Sequence, residues 1–160
     1  MKEPDYTYEV FQAGVDKQLN LGKYTNEIAR MYGEVLCLPE LGHGSEEDLL
    51  VELEAACDSH WAIAGVAVNQ ASEALGYGAL SFVDVKTGQV ELDSAYVRPE
   101  DRRRGVYKGL FQRRLEIAQQ LGATEVTTQP LPDANHIPYL VREGFQPVQG
   151  KDCVIYKRKL

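Results

Sequence analysis

"VRPEDRRRGVYKGLFQRRLEIAQQLG", residues 97–122, gathers seven basic side chains around a glycine, Gly105, where one kind of apolar pattern gives way to another. The segment leading into it, "QVELDSAYV" (89–97), has the β-branched and aromatic content of a strand. After Pro99 the period becomes helical, with Tyr107, Leu110, Phe111, Leu115 and Ala118 on one face. Arg103, Gln112, Arg113, Glu116 and Gln120 fall largely elsewhere, and Gly122 is placed to end the helix. Three ligands compete for such a cluster: a nucleic-acid backbone, a phosphorylated cofactor, or only water around a charged helix.

Upstream, "WAIAGVAV" (61–68) and "LGYGALSFVDV" (75–85) read as strands, and "KTG" (86–88) is a tight-turn signal that makes an antiparallel hairpin with 89–97. Downstream, "TEVTTQ" (124–129) is a short strand, "DANHIPYLVREGF" (133–145) a capped helix ending at Gly144, and "KDCVIYKRK" (151–159) a last strand. Two helices are expected ahead of the strands. One is "YTNEIARMYGEV" (24–35), with Thr25 or Asn26 as N-cap; the other is capped by Ser45 and carries a Leu49, Leu50, Leu53 stripe. The loop "CLPELGHGS" (37–45) separates them. Strands paired as a hairpin, then strand, helix, strand, helix, strand, describe a mixed α/β domain around one central sheet.

The 160 residues, 44% of them hydrophobic, suit one domain spanning 1–160. No apolar run reaches the length of a membrane span, and "MKEPDYTYEV" lacks the apolar centre of a signal peptide, so a soluble, cytoplasmic protein with no membrane partner is expected. Cys37, Cys57 and Cys153 lack paired metal-ligand spacing, and His43, His60 and His136 are scattered, so no metal is assigned and the histidines read as surface residues.

Charge is unevenly divided. Residues 1–97 carry 5 Lys+Arg against 17 Asp+Glu, and residues 98–160 carry 12 against 7. A net charge of −7 and an acidic first half argue against a nucleic-acid partner, although "RRR" with Lys108, Arg113 and Arg114 could contact phosphates. The phosphorylated-cofactor reading is the stronger. The first N–H groups of a helix have no partner within it and stabilise an anion, Gly105 lets a phosphate approach the backbone, and Arg102, Arg103 and Arg104 add charge-assisted contacts. The spacing is neither that of a Walker loop nor that of a dinucleotide fingerprint.

Arg102-x-x-Gly105-x-Tyr107, behind a strand that ends in Val97-x-Pro99, resembles the acetyl-CoA signature Gln/Arg-x-x-Gly-x-Gly/Ala of the GNAT family of N-acetyltransferases. The order of elements from about Trp61 to Leu160 and the segment "NHIPYLVREGF" (135–145) resemble that family too, whereas the first 60 residues match only as two helices. The resemblance implies an α/β fold with a mixed, mostly antiparallel central sheet flanked by helices on both faces. It also implies an acetyl-CoA-dependent N-acetyltransferase, with acetyl-CoA as co-substrate. Arg102, Arg104, Gly105 and the amides of Val106, Tyr107, Lys108 and Gly109 would surround the pyrophosphate. Val97 and Ala95 would serve the pantetheine arm and thioester, and Asn135 would position the end of that arm.

Two residues depart from the family pattern: Tyr107 stands where Gly or Ala is usual, and the tyrosine that protonates the leaving thiolate falls at Leu140, one position from Tyr139. Tyr139, Tyr96 or water would then supply that proton. An amine with a reference pKa of about 10.4 must lose a proton before it attacks. Glu91 and Asp93, two apart on a strand, face one way beside the expected thioester; Glu91, which matches a family glutamate, is the first choice as base and Asp93 the second. The acidic Glu46, Glu47, Asp48, Glu52 and Glu54 suit a cationic small amine or a peptide as acceptor. The alternative is an acyl-CoA-binding sensor or interaction module on the same fold, and the family's habit of pairing makes a homodimer possible.

Overall fold

The structure, a computed structural model, describes residues 6–9, 24–35, 61–84, 88–130, 134–150 and 153–160. In chain order its elements are β1 (Tyr6–Glu9), α1 (Thr25–Val35), β2 (Trp61–Asn69), β3 (Ala74–Asp84), β4 (Gln89–Val97), α2 (Val106–Gln120), β5 (Glu125–Thr128), α3 (Ile137–Arg142), β6 (Gln146–Gln149) and β7 (Val154–Lys159). A single 3-10 turn, Pro99–Asp101, joins β4 to the loop before α2. The helix expected after Ser45, the loop over 37–45 and the first two residues of the turn over 86–88 lie outside the described residues.

One seven-stranded sheet runs in the order β1-β2-β3-β4-β5-β7-β6. Every pairing is antiparallel except β4 with β5, where Gln89, Val90 and Glu91 sit opposite Glu125, Val126 and Thr127. That parallel pair needs a crossover, and α2 provides it. The sheet is mixed and mostly antiparallel, as the resemblance implies.

Helices cover both faces. Tyr96 and Val97 are successive strand residues and so point to opposite sides. The Tyr96 hydroxyl bonds the Glu34 carboxylate of α1, whereas Val97 packs with Val106 and Leu110 of α2. On the α1 side Tyr24, Ile28 and Met31 are buried. On the α2 side Phe111, Leu115 and Ala118 pack on Leu80, Val90, Leu92 and Val126, and the cluster extends to Leu140 and Phe145. Leu140 and Phe145 are themselves linked, because the Phe145 amide donates to the Leu140 carbonyl as α3 ends.

Two strands have no counterpart in the sequence reading. β6 carries Pro147 and is exposed along its whole length, so no alternation marks it. β1 offers only "YTYE". A third difference concerns α2, whose buried face contains Arg114 as well as apolar residues.

Candidate active site

The cluster that opens the sequence argument is a tied loop in front of a helix. Asp101, only 4% exposed, accepts from Arg98 Nε and from Arg104 Nη1, each at 2.8 Å. Arg102 Nε donates to the Val97 carbonyl at 3.0 Å, and its guanidinium lies over the Tyr96 ring, 5.6 Å from the centroid. Arg103 has φ 63° and Gly105 φ 84°. Gly105 is the residue type that takes this backbone without strain, and α2 starts immediately after it.

Arg102, Arg103, Arg104, Gly105 and Lys108 are exposed around that helix start, and Val106 is buried beneath it. The amides of Val106, Tyr107 and Lys108 have no acceptor one turn back in the helix, whereas the Gly109 amide donates to the Gly105 carbonyl at 3.1 Å. Gly109 contributes by its size, since a Cβ there would overlap the Tyr8 hydroxyl. β1 holds the loop from behind: Tyr6 Oη donates to the Arg104 carbonyl at 3.1 Å and Tyr8 Oη to the Val106 carbonyl at 3.4 Å. Exposed guanidinium groups, three helix-start amides and a glycine at the close approach fit the diphosphate of acetyl-CoA.

The second part of the site lies on β4. Gly78 pairs with Ala95 but Leu80 with Leu92, so two β4 residues, Asp93 and Ser94, face the single Ala79 of β3. This is a β-bulge, which re-aims the strand at that point. Arg114 Nη1 donates to the freed Asp93 carbonyl at 2.9 Å, with its stem against Gly78. The β4–β5 ladder has already stopped at Glu91 and Thr127. A cavity of about 380 Å³ opens there, lined by Glu91, Asp93, Ala95, Tyr107, Arg114 and His136 among others.

The cavity's charges are tuned by burial. Glu91 holds its proton more tightly than an ordinary carboxylic acid, first because it is desolvated and then because Asp93 is close. Asp93 is exposed and accepts from Ser81 Oγ at 3.1 Å. Burial, and then the charge of Arg114, lower the pKa of His136, which keeps that imidazole neutral near pH 7. Burial also pushes Arg114 down from its ordinary value, while Tyr107, Asp93 and Tyr77 favour its charge.

The structure therefore brings Glu91, Asp93, Ala95 and Tyr107 to one cavity and the Arg102–Lys108 stretch to the loop beside it. Val97 is buried at the end of β4, and Asn135 is exposed one residue ahead of His136. Tyr139 does not line the cavity: its ring packs edge-on against Phe111 at 5.1 Å, and its buried hydroxyl has no close hydrogen-bond partner among the described residues.

Sequence reasoning missed Arg114, His136, Tyr6 and Tyr8. His136, read as a surface residue, is half-buried in the cavity wall. Arg114, named from the sequence only as a residue that could contact phosphates, is buried; its position three and four residues from Phe111 and Leu110, inside the apolar stripe, is the signal that could have found it.

Residues 28–145 match the model of the Acetyltransferase (GNAT) family. Among solved structures, an acetyltransferase of the GNAT family from Staphylococcus aureus Mu50 superposes with a TM-score of 0.70 at 14% identity, covering 97% of this chain and 99% of that one. A phosphinothricin acetyltransferase from Sinorhizobium meliloti, solved with AcCoA, gives 0.69 at 19% identity over 98% and 89%. PaiA N-acetyltransferase from Thermoplasma acidophilum, in complex with coenzyme A, gives 0.68 at 15% over 96% and 99%. No curated protein matches the chain in sequence.

Proposed function

Because this chain belongs to the GNAT acetyltransferase family, whose members transfer an acetyl group from acetyl-CoA, we propose that it acetylates a primary amine by direct attack within a ternary complex. One observation carries the reading. The strand that leads into the anion-binding helix start is the same strand whose bulge places Ala95 and a desolvated carboxylate, Glu91, in one cavity.

Arg102, Arg104 and the amides of Val106, Tyr107 and Lys108 hold the diphosphate, and Ala95 and Val97 flank the pantetheine arm. Glu91 takes the proton that the amine must lose, with Asp93 next to it as the alternative. A carboxylic acid whose pKa is raised toward neutrality is a better base than an ordinary one. Cys153, the one cysteine among the described residues, does not line the cavity. Two carboxylates in the cavity wall favour a cationic acceptor, a small amine or a peptide, over a neutral or acidic one.

Calorimetric titration with acetyl-CoA, CoA and a short DNA duplex tests the cofactor half of this reading. Gly105→Glu would force a side chain into the φ 84° position, toward Tyr6 Oη, and add a negative charge at the helix start. Loss of acetyl-CoA binding by about a hundredfold or more is expected, the sum of lost contacts and like-charge repulsion. Unchanged affinity, or binding of DNA in place of CoA, would refute it. Acetylation of cationic amines no faster than of neutral ones would remove the acceptor assignment.

A further inference from the structure

Within the cavity between β4 and β5, one charge has no role in the chemistry just described. Arg114, in the middle of α2, is 2% exposed. One of its donors, Nη1, holds the bulge carbonyl of Asp93, but Nε is buried with no hydrogen-bond partner, and no ion pair of Arg114 occurs among the described residues. A guanidinium does not shed its charge as a buried lysine can, and burial works against this one more than Tyr107, Asp93 and Tyr77 favour it. The natural partner is negative charge that arrives with the substrates or develops during the reaction.

Tyr107 is the second member of the arrangement. It lies two helical turns before Arg114 on the same face of α2, its hydroxyl beside the guanidinium. Its ring is held by Phe111, His136 and Tyr139 at centroid distances of 6.4, 5.9 and 6.2 Å. Both side chains line the cavity together with Ala95, the residue that resumes the β4 ladder after the bulge. Tyr139, the tyrosine that sequence reasoning favours, lies behind Tyr107 and Phe111 and is not part of the wall.

Resting on the transferase reading, we propose that Tyr107 and Arg114 form the leaving-group site of this enzyme. As the amine nitrogen bonds to the acyl carbon, the carbon–sulfur bond breaks and its electron pair stays on sulfur. The Tyr107 hydroxyl gives its proton to that sulfur, producing the free thiol of CoA. Arg114 holds the negative charge as it passes from sulfur to the phenolate oxygen, and water then reprotonates Tyr107. Glu91 releases to solvent the proton it took from the amine, so protons balance over the turnover.

Tyr107→Phe keeps the ring packing and removes only the hydroxyl. It is expected to lower kcat about tenfold to a hundredfold, the low end of what general acids contribute, with KM for acetyl-CoA changed less than about threefold. The loss should grow with an oxygen-ester analogue of acetyl-CoA, whose leaving group needs its proton more. A second readout needs no turnover. The thiol of CoA bound to the wild-type protein, titrated by its ultraviolet absorbance, is expected to ionise at lower pH than in water, and Arg114→Gln to remove that shift.

Tyr107→Phe at wild-type kcat with both donors, or a bound thiol that titrates as in water, would overturn the assignment while leaving the transferase reading intact. Loss of kcat in Tyr139→Phe but not in Tyr107→Phe would overturn it in favour of the other tyrosine. Failure of the wild-type protein to bind acetyl-CoA would overturn both readings together.

Discussion

Arg102, Arg103 and Arg104 ahead of α2 and Arg114 within it come from one short basic stretch, yet they are different physical objects. The first three are exposed, where water and salt screen them and their value depends on what binds. Arg114 is sealed between α2, Gly78 and the β4 bulge, where screening is weak and an unmet charge cannot relax. The same division recurs on β4, where Glu91 is desolvated and Asp93, two residues on, is exposed. In this molecule the loop carries charges open to solvent, and the cavity holds charges that burial perturbs.

The carboxylate pair gives the sharpest way to break that division. Glu91→Gln is expected to lower kcat/KM by about 10²–10³, within the range for a lost general base, against less than about tenfold for Asp93→Asn. Comparable losses would erase the distinction. Ionising Glu91 is harder in the folded chain than in the unfolded one, so this group takes stability away as pH rises through the carboxylate range. Glutamine cannot ionise, and the variant should therefore melt at an equal or higher temperature near pH 7. In the wild type, kcat/KM should fall as pH drops through the raised pKa of Glu91, at a higher pH than an ordinary carboxylate would give.

Next in size is the arginine contrast. Arg114→Ala leaves the Asp93 carbonyl unsatisfied and a void against Gly78, and denaturant unfolding should show a loss of about 2–4 kcal/mol. Replacing Arg102 and Arg104 together by alanine should leave kcat nearly unchanged and weaken acetyl-CoA binding by about tenfold at low salt, the difference shrinking as salt rises. Arg113, paired with Glu116 at 2.9 Å on the exposed face, is the small end of the scale. Its alanine variant should stay within about 0.5 kcal/mol of wild type, and a cost equal to that of Arg114→Ala would refute the burial argument.

Much of the scaffold was legible because its signals are local. β2, β3 and β4 announce themselves by composition, α2 by its period, and the ends of α2 and α3 by Gly122 and Gly144, whose amides close the last turns onto Gln119 and Val141. The loop before α2 was legible for the same reason. What escaped depends on partners distant in the chain. β1 and β6 are edge strands: β1 alternates Tyr-Thr-Tyr over only four residues, too short a signal to stand out, and β6 is exposed throughout and carries no alternation.

Arg114 escaped because arginine is almost never buried, and only the β3–β4 bulge explains why it is here. Tyr139 lies off the cavity for a local reason. A helix of six residues rotates each side chain by a large angle per position, so Leu140 and His136 meet the cavity while the tyrosine between them faces Phe111.

The hydroxyls of Tyr6 and Tyr8 tie β1 to the start of α2 across 98 positions of chain. Closing so long a loop is entropically slow, and the contacts made by it reward folding only after the central strands and α2 have met. The proposed diphosphate cradle should thus be among the last parts of the molecule to take shape, after the core beneath it. It should also be among the first to loosen, because a four-residue edge strand opens at lower free energy than the sheet it borders. In hydrogen exchange, the Gly109 amide, bonded to the Gly105 carbonyl at the start of α2, would then exchange in step with β1, well ahead of the rest of α2, and a bound diphosphate would slow both together.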